Sequence, residues 1–178
     1  MHSTRTAIGS RAAFAVAVLA IALVLGKDVP PTRAAAQGGS RVVTVFEAGD
    51  GGTFAFVDNA PHSPNADPQS PAARFSTGDQ AYWTGDVLDR KGGKHIGEIY
   101  GMETVLRGTT YPNVTNLIHA IFALDGGSIF VEAVVDETHQ DRVAGAVVGG
   151  TGAYVGARGT FRTKPGRDGN TDTFTLLA

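Results

Sequence analysis

The chain contains no cysteine. Disulfide frameworks, zinc fingers, iron–sulfur clusters and thiol nucleophiles are therefore excluded, and packing alone must hold the fold. No basic tract occurs, so the chain lacks the electrostatic footprint of a nucleic-acid or anionic-lipid binder. There is no Gly-x-Ser-x-Gly motif to place a hydrolase serine at a nucleophile elbow. The longest uncharged apolar run, Ala12–Gly26, has 15 residues, whereas a membrane-spanning helix needs about 20. Segments with a helical period are also missing.

That apolar run follows Arg5 and Arg11 and precedes Ala34-Ala35-Ala36, the order of a secretory signal peptide. Residues 1–36 are expected to be removed on export, with no integral membrane span after processing. The charged spacer "KDVPPTRAAA" leaves an uncleaved N-terminal anchor as the alternative. Residues 37–178 then form one domain, with 11 Lys and Arg against 16 Asp and Glu, a mildly acidic balance of −5. An extracytoplasmic location follows from this reading.

What is present is glycine, β-branched residues and short runs of strand character separated by turn signals. "RVVTVFEA" ends at "GDGG", and "TFAFVDN" follows. The proline-rich stretch over residues 60–74 cannot be a central strand, because proline has no ladder donor; it reads as an exposed loop or a lid. "DQAYWTGDVLD", "HIGEIYGMETVL", "NLIHAIFAL", "SIFVEAVVDE", "RVAGAVVG", "ARGTFRT" and "DTFTLLA" complete the series. About eight strands joined by tight turns predict an all-β fold, an eight-stranded antiparallel up-and-down β-barrel. An open sandwich is the second choice.

Alternation assigns faces. Ile129, Val131, Ala133 and Val135 share one face of their strand, and Gly97, Ile99, Gly101, Glu103 and Val105 share one face of theirs. Neither opposite face is purely polar. A wall apolar on both sides predicts an apolar or packed lumen and subunit contacts outside, hence a homo-oligomer, trimer or dimer.

The glycine-rich "VVGGTGAYVGARGTF" (Val147–Phe161) invites a nucleotide reading. A dinucleotide fingerprint needs Gly-x-Gly-x-x-Gly between a strand and a helix. Here the spacing is Gly150-x-Gly152-x-x-x-Gly156, and the sequence beyond it alternates like a strand. It reads as a tight connection between strands.

The same segment resembles the "GGTG-x-F-x-x-A-x-G" stretch of plant dirigent proteins and allene oxide cyclases. "VTVFEAGD" is similar to the cyclases' first strand, and "GDQAYWTGDVLDRKGGKHIGEIYGMETVL" to a central stretch in the same order. The resemblance implies an eight-stranded barrel with a mainly apolar cavity, commonly trimeric, and chemistry on a small apolar molecule without a cofactor. Carried over by position, the cyclase glutamate falls on Glu47. Its water-holding asparagine falls on Gly49, its pocket proline on Tyr82 and its cavity cysteine on Glu103. The dirigent "A-R-G" arginine matches Arg158, but the acid expected after "GGTG" falls on Ala153.

Candidate site residues follow. Glu47 and Glu103 are the catalytic candidates, since a carboxylate inside an apolar barrel is desolvated and becomes protonatable. A strand-end Glu47 facing water and a solvent-facing Glu103 are the alternatives. Tyr82 and Trp83 are adjacent, so one points inward; with His119 and Arg158 they are the substrate-binding candidates. His62, His95 and His139 are too scattered for a metal triad, so no metal or other cofactor is expected. Two functions fit: a cyclase, isomerase or stereo-directing barrel confining a small apolar molecule, or a non-catalytic barrel binding an apolar metabolite or a macromolecule.

Overall fold

A computed structural model describes residues 39–62, 73–139 and 143–177; the expected signal peptide and most of the proline-rich stretch lie outside them. Alternating β-branched and aromatic residues form β1 (Arg41–Ala48), β2 (Thr53–Val57), β3 (Gln80–Leu88), β4 (His95–Thr110) and β5 (Asn113–Leu124). β6 (Gly127–Asp136), β7 (Val143–Gly150), β8 (Gly159–Gly166) and β9 (Gly169–Leu176) follow. Each strand from β3 to β9 pairs antiparallel with the next. β1 pairs with β9 from Arg41↔Leu176 to Ala48↔Gly169. It also pairs with β3, through Phe46↔Leu88 and Glu47↔Val87. β1 and β3–β9 thus close an eight-stranded antiparallel barrel, which leaves the ring no free edge.

β2 is the ninth strand. It pairs with β3 from Thr53↔Thr84 to Val57↔Gln80. Both β1 and β2 run antiparallel to β3, so they succeed one another along it. "GDGG" therefore interrupts one strand direction, where a hairpin would have reversed it. β4 and β5 extend beyond the apolar runs that announced them, to Thr110 and back to Asn113. Register shifts near Val105 and Arg107 accompany that extension.

One end of the lumen is filled. Phe122, Phe161 and Phe174 are buried, with ring centroids 4.9 to 5.9 Å apart, and Val45, Val87, Ile99, Ile129 and Val131 surround them. Aromatic contacts of this kind add about 0.5–1.5 kcal/mol each beyond the area they bury. A second, smaller apolar cluster of Ala73, Phe75, Val105 and Val114 occupies the other end.

The glycine-rich segment turns between β7 and β8 through a short 3-10 helix, Gly152–Tyr154. Gly152 adopts φ +57°, and a Cβ there would lie 2.4 Å from the Gly126 carbonyl oxygen. Its amides are committed to protein carbonyls: Ala153 N donates to Gly126 O (2.8 Å) and Thr151 N to Ser128 O (2.9 Å). The glycines let this turn press against the β5–β6 turn, which is the structural use expected of them.

Outside, Tyr100, Ile121 and Phe130 stand directly opposite one another across β4, β5 and β6. Tyr100 and Ile121, with Val134 and Val148, are exposed large apolar side chains. No helix among the described residues is long and apolar enough to cross a membrane.

Candidate active site

Above the phenylalanine floor lies a cavity of about 160 Å³, lined by apolar side chains such as Ile99, Ile118 and Phe122 and by a polar cluster built around Glu47. β1 places Glu47 opposite Asn170 of β9. The Asn170 Nδ2 amide donates to Glu47 Oε2 at 3.0 Å, and the Trp83 indole donates to the same carboxylate. Asp172 lies two residues further along β9, diagonal to Glu47 on the same inner face, and opposite Thr163 of β8. The Thr163 hydroxyl donates to Asp172 Oδ1. Asp172 Oδ2 is buried without a hydrogen-bond partner among the described residues.

Burial sets the protonation of this pair. It raises the Glu47 carboxyl above its ordinary value, against the lowering effect of the Asn170 and Trp83 hydrogen bonds. Asp172 is fully buried, and desolvation pushes it up to about 7; the Thr163 hydrogen bond opposes this and the Glu47 charge adds to it. The two carboxyls share the inner face in unequal surroundings: Glu47 has two donors for its charged form, Asp172 one. Such pairs divide into a proton donor and a charge holder.

Further along the lumen a wider chamber of about 360 Å³ contains Glu103, Asn116 and Glu137. The Asn116 amide donates to Glu103 Oε1 and, at 3.1 Å, to Glu137 Oε1. Burial, with the Glu137 charge next, raises the Glu103 carboxyl to about 7, and Asn116 partly offsets both. Trp83 lines the narrow cavity and is absent from the wall of the wide chamber. Its indole crosses Gly101, where a Cβ would lie 2.1 Å from the ring, and on β4 Gly101 separates Ile99 of the narrow cavity from Glu103 of the wide one.

The candidates from sequence divide accordingly. Glu47 and Glu103 line the lumen, at separate places, and Trp83 is the inward member of its pair. Tyr82 is on the outer face, its hydroxyl bonded to Gln80 Oε1 at 2.7 Å, because β3 alternation sends it opposite to Trp83. His119 likewise points outward, with Nδ1 3.3 Å from Glu132 Oε1. Arg158 sits between the 3-10 turn and β8 and lines neither cavity. Tyr82, His119 and Arg158 thus stand outside these two cavities, Tyr82 and His119 by the pleat and Arg158 by its place in the chain. Asp172, Asn170, Thr163, Asn116 and Glu137 were not expected. Asp172 had a visible signal: it alternates with Phe174 and Leu176 on an otherwise apolar face.

No family profile and no curated protein matches the chain. Solved structures do. A pyocyanin demethylase superposes with a TM-score of 0.57 at 17% identity, over 76% of this chain and 99% of that one. The exo-specific intermolecular Diels–Alderase AbnU gives 0.56 at 15%, over 79% and 100%. The fold is that of the dirigent and cyclase barrels. The pterocarpan synthase dirigent protein GePTS1 carries it too, with a TM-score of 0.56 at 16% identity over 86% of this chain and 96% of that one.

Proposed function

We propose that the chain is an exported barrel that confines a small, largely apolar molecule in its lumen and directs its cyclisation, isomerisation or stereocontrolled coupling without a cofactor. The observation that carries this reading is the Glu47–Asp172 pair, two protonatable carboxyls enclosed with a tryptophan above a phenylalanine floor. Protonated Asp172 donates a hydrogen bond or proton to an oxygen that gains charge during reaction. Glu47, held by Asn170 and Trp83, stabilises positive charge or accepts a proton. The aromatic walls restrict the molecule to a reactive conformation.

A cavity of about 160 Å³ is smaller than the 300–1,000 Å³ usual for a whole ligand. It suits one reacting group, with the remainder of the molecule extending past Trp83 into the wider chamber. The fold neighbours are named for a demethylation, a cycloaddition and a pterocarpan synthesis. Such different reactions on one scaffold agree with a barrel that supplies confinement, while the lumen side chains choose the chemistry.

The test begins with native mass spectrometry of the full chain against extract of its own source, to identify the bound molecule. Asp172→Asn and Glu47→Gln are expected to lower turnover by about 100-fold or more. Ligand affinity, read from the single tryptophan, should change only a few-fold. Unchanged turnover in Asp172→Asn would remove the acid role and leave the barrel as a binder.

A further inference from the structure

Asp172 lines the narrow cavity with a single hydrogen-bond partner. β8 and β9 set Thr163 directly opposite it, and the Thr163 hydroxyl donates to Oδ1. Oδ2 has no partner among the described residues, although the side chain is fully buried. Thr163 lines the same cavity, where a hydroxyl needs an explanation. Alternation along β8 turns Phe161 and Thr163 inward and leaves Arg162 and Lys164 exposed on the outer face. Phe161 belongs to the phenylalanine floor, and Val143 of β7, paired with Thr163 from the other side, is apolar as well. Valine has nearly the shape of threonine, so packing does not require the hydroxyl. The charge that acts on Asp172 is that of Glu47 on β1, and an ionised carboxylate donates no hydrogen bond.

A threonine hydroxyl has one proton to give. Spent on Oδ1, it makes that oxygen an acceptor, and the proton of a neutral Asp172 then belongs to Oδ2. The reverse polarity, with Asp172 donating to the Thr163 oxygen, serves only the neutral acid. Donation from Thr163 serves the acid and its carboxylate alike, because both accept at Oδ1, so the bond persists while the proton leaves and returns. We propose that Thr163 is a positioning residue for Asp172: its hydroxyl holds Oδ1 and thereby fixes the acid's transferable proton on Oδ2, the oxygen the protein leaves without a partner. This role rests on the acid function proposed for Asp172, and adds which oxygen carries the proton and what keeps it there. The same hydrogen bond favours the carboxylate against the burial that disfavours it. Thr163 therefore also lets a fully buried acid release its proton near neutral pH.

The test uses the full chain without ligand. Infrared difference spectra of the parent against Asp172→Asn isolate the Asp172 carbonyl stretch, which is followed from about pH 5 to about pH 9. In the parent the band should lie where a carbonyl accepting one hydrogen bond absorbs, and disappear as Asp172 ionises. Thr163→Val is expected to move the band to higher wavenumber, because Oδ1 loses its donor. It should also raise the midpoint of ionisation by about one pH unit. Thr163→Ser should restore both, and the parent spectrum decides even if Thr163→Val does not fold. A threonine needed only for packing would move neither. A parent band at the position of a free carbonyl overturns the proposal. So does an unchanged band or midpoint in folded Thr163→Val, or failure of folded Thr163→Ser to restore them. No substrate enters these measurements, so their failure is distinct from failure of the acid function. Unchanged turnover in Asp172→Asn removes that function and the positioning role with it, while the shifted band still records the hydrogen bond.

Discussion

Asp172 shows how far burial moves one side chain. Its carboxyl is pushed up to about 7 by desolvation, while an unfolded aspartate titrates near 3.9. A folded-state value above the unfolded one means that the protonated form is favoured by folding. The associated stability is fully present below about pH 4 and is lost as pH rises toward 7. Asp172→Asn removes that dependence, since an amide fills the same space without ionising. The variant is expected to gain on the order of 2 kcal/mol relative to the parent between pH 5 and pH 8, measured by thermal unfolding at both pH values. An equal pH dependence in parent and variant would show that Asp172 keeps an ordinary carboxyl. Glu103 moves in the same direction, so the parent itself should melt lower at pH 8 than at pH 5. Glu47 was legible as a candidate from its strand and from resemblance, and its neighbours were not. Asn170 lies 123 residues away, and no local pattern links the two.

At the scale of elements, β3 and β4 decide the shape of the lumen. Alternation along "YWTG" predicts that only one of Tyr82 and Trp83 faces inward, and alternation along "GEIYGME" predicts that Gly101 and Glu103 share a face. Their register, Trp83↔Gly101, then lets the indole lie over a residue without a side chain. Gly101→Ala would place a methyl group 2.1 Å from the ring. The indole must leave its position, at a cost of about 1–3 kcal/mol typical of an overpacked core. The emission maximum of the single tryptophan is expected to shift, and ligand affinity to fall. An unchanged spectrum and melting temperature would deny Trp83 its place over Gly101. β2 was legible as a strand, but its partner was not: only the pairing along β3 shows the chain continuing forward past "GDGG".

For the whole molecule, closure of the barrel leaves an apolar row exposed on its outside among the described residues. Tyr100, Ile121 and Phe130 form a row across three strands, and exposed Val148 adjoins it on the next. Apolar side chains arranged this way fit a contact between copies of the chain. The full chain is expected to migrate as a homo-oligomer in size-exclusion chromatography with light scattering. Ile121→Lys, which sets a charge in the middle of the row, should shift it toward monomer with its melting profile otherwise preserved. A monomeric parent protein would reject this use of the surface.

The sequence by itself determined the all-β class, the approximate strands, the absence of thiol chemistry and the pairs of faces on each strand, because these depend on composition and on a two-residue repeat. It also supported the structural use of the glycine-rich segment. Only the tertiary structure decided which face is inside, since a barrel with apolar residues on both sides gives alternation no preferred direction. It likewise decided that Tyr82 and His119 face outward, that Asn170 and Asp172 meet Glu47, and that Glu103 belongs to a second chamber. Those contacts depend on the register at which β1 joins both β9 and β3, and a register between distant strands is set by closing the ring.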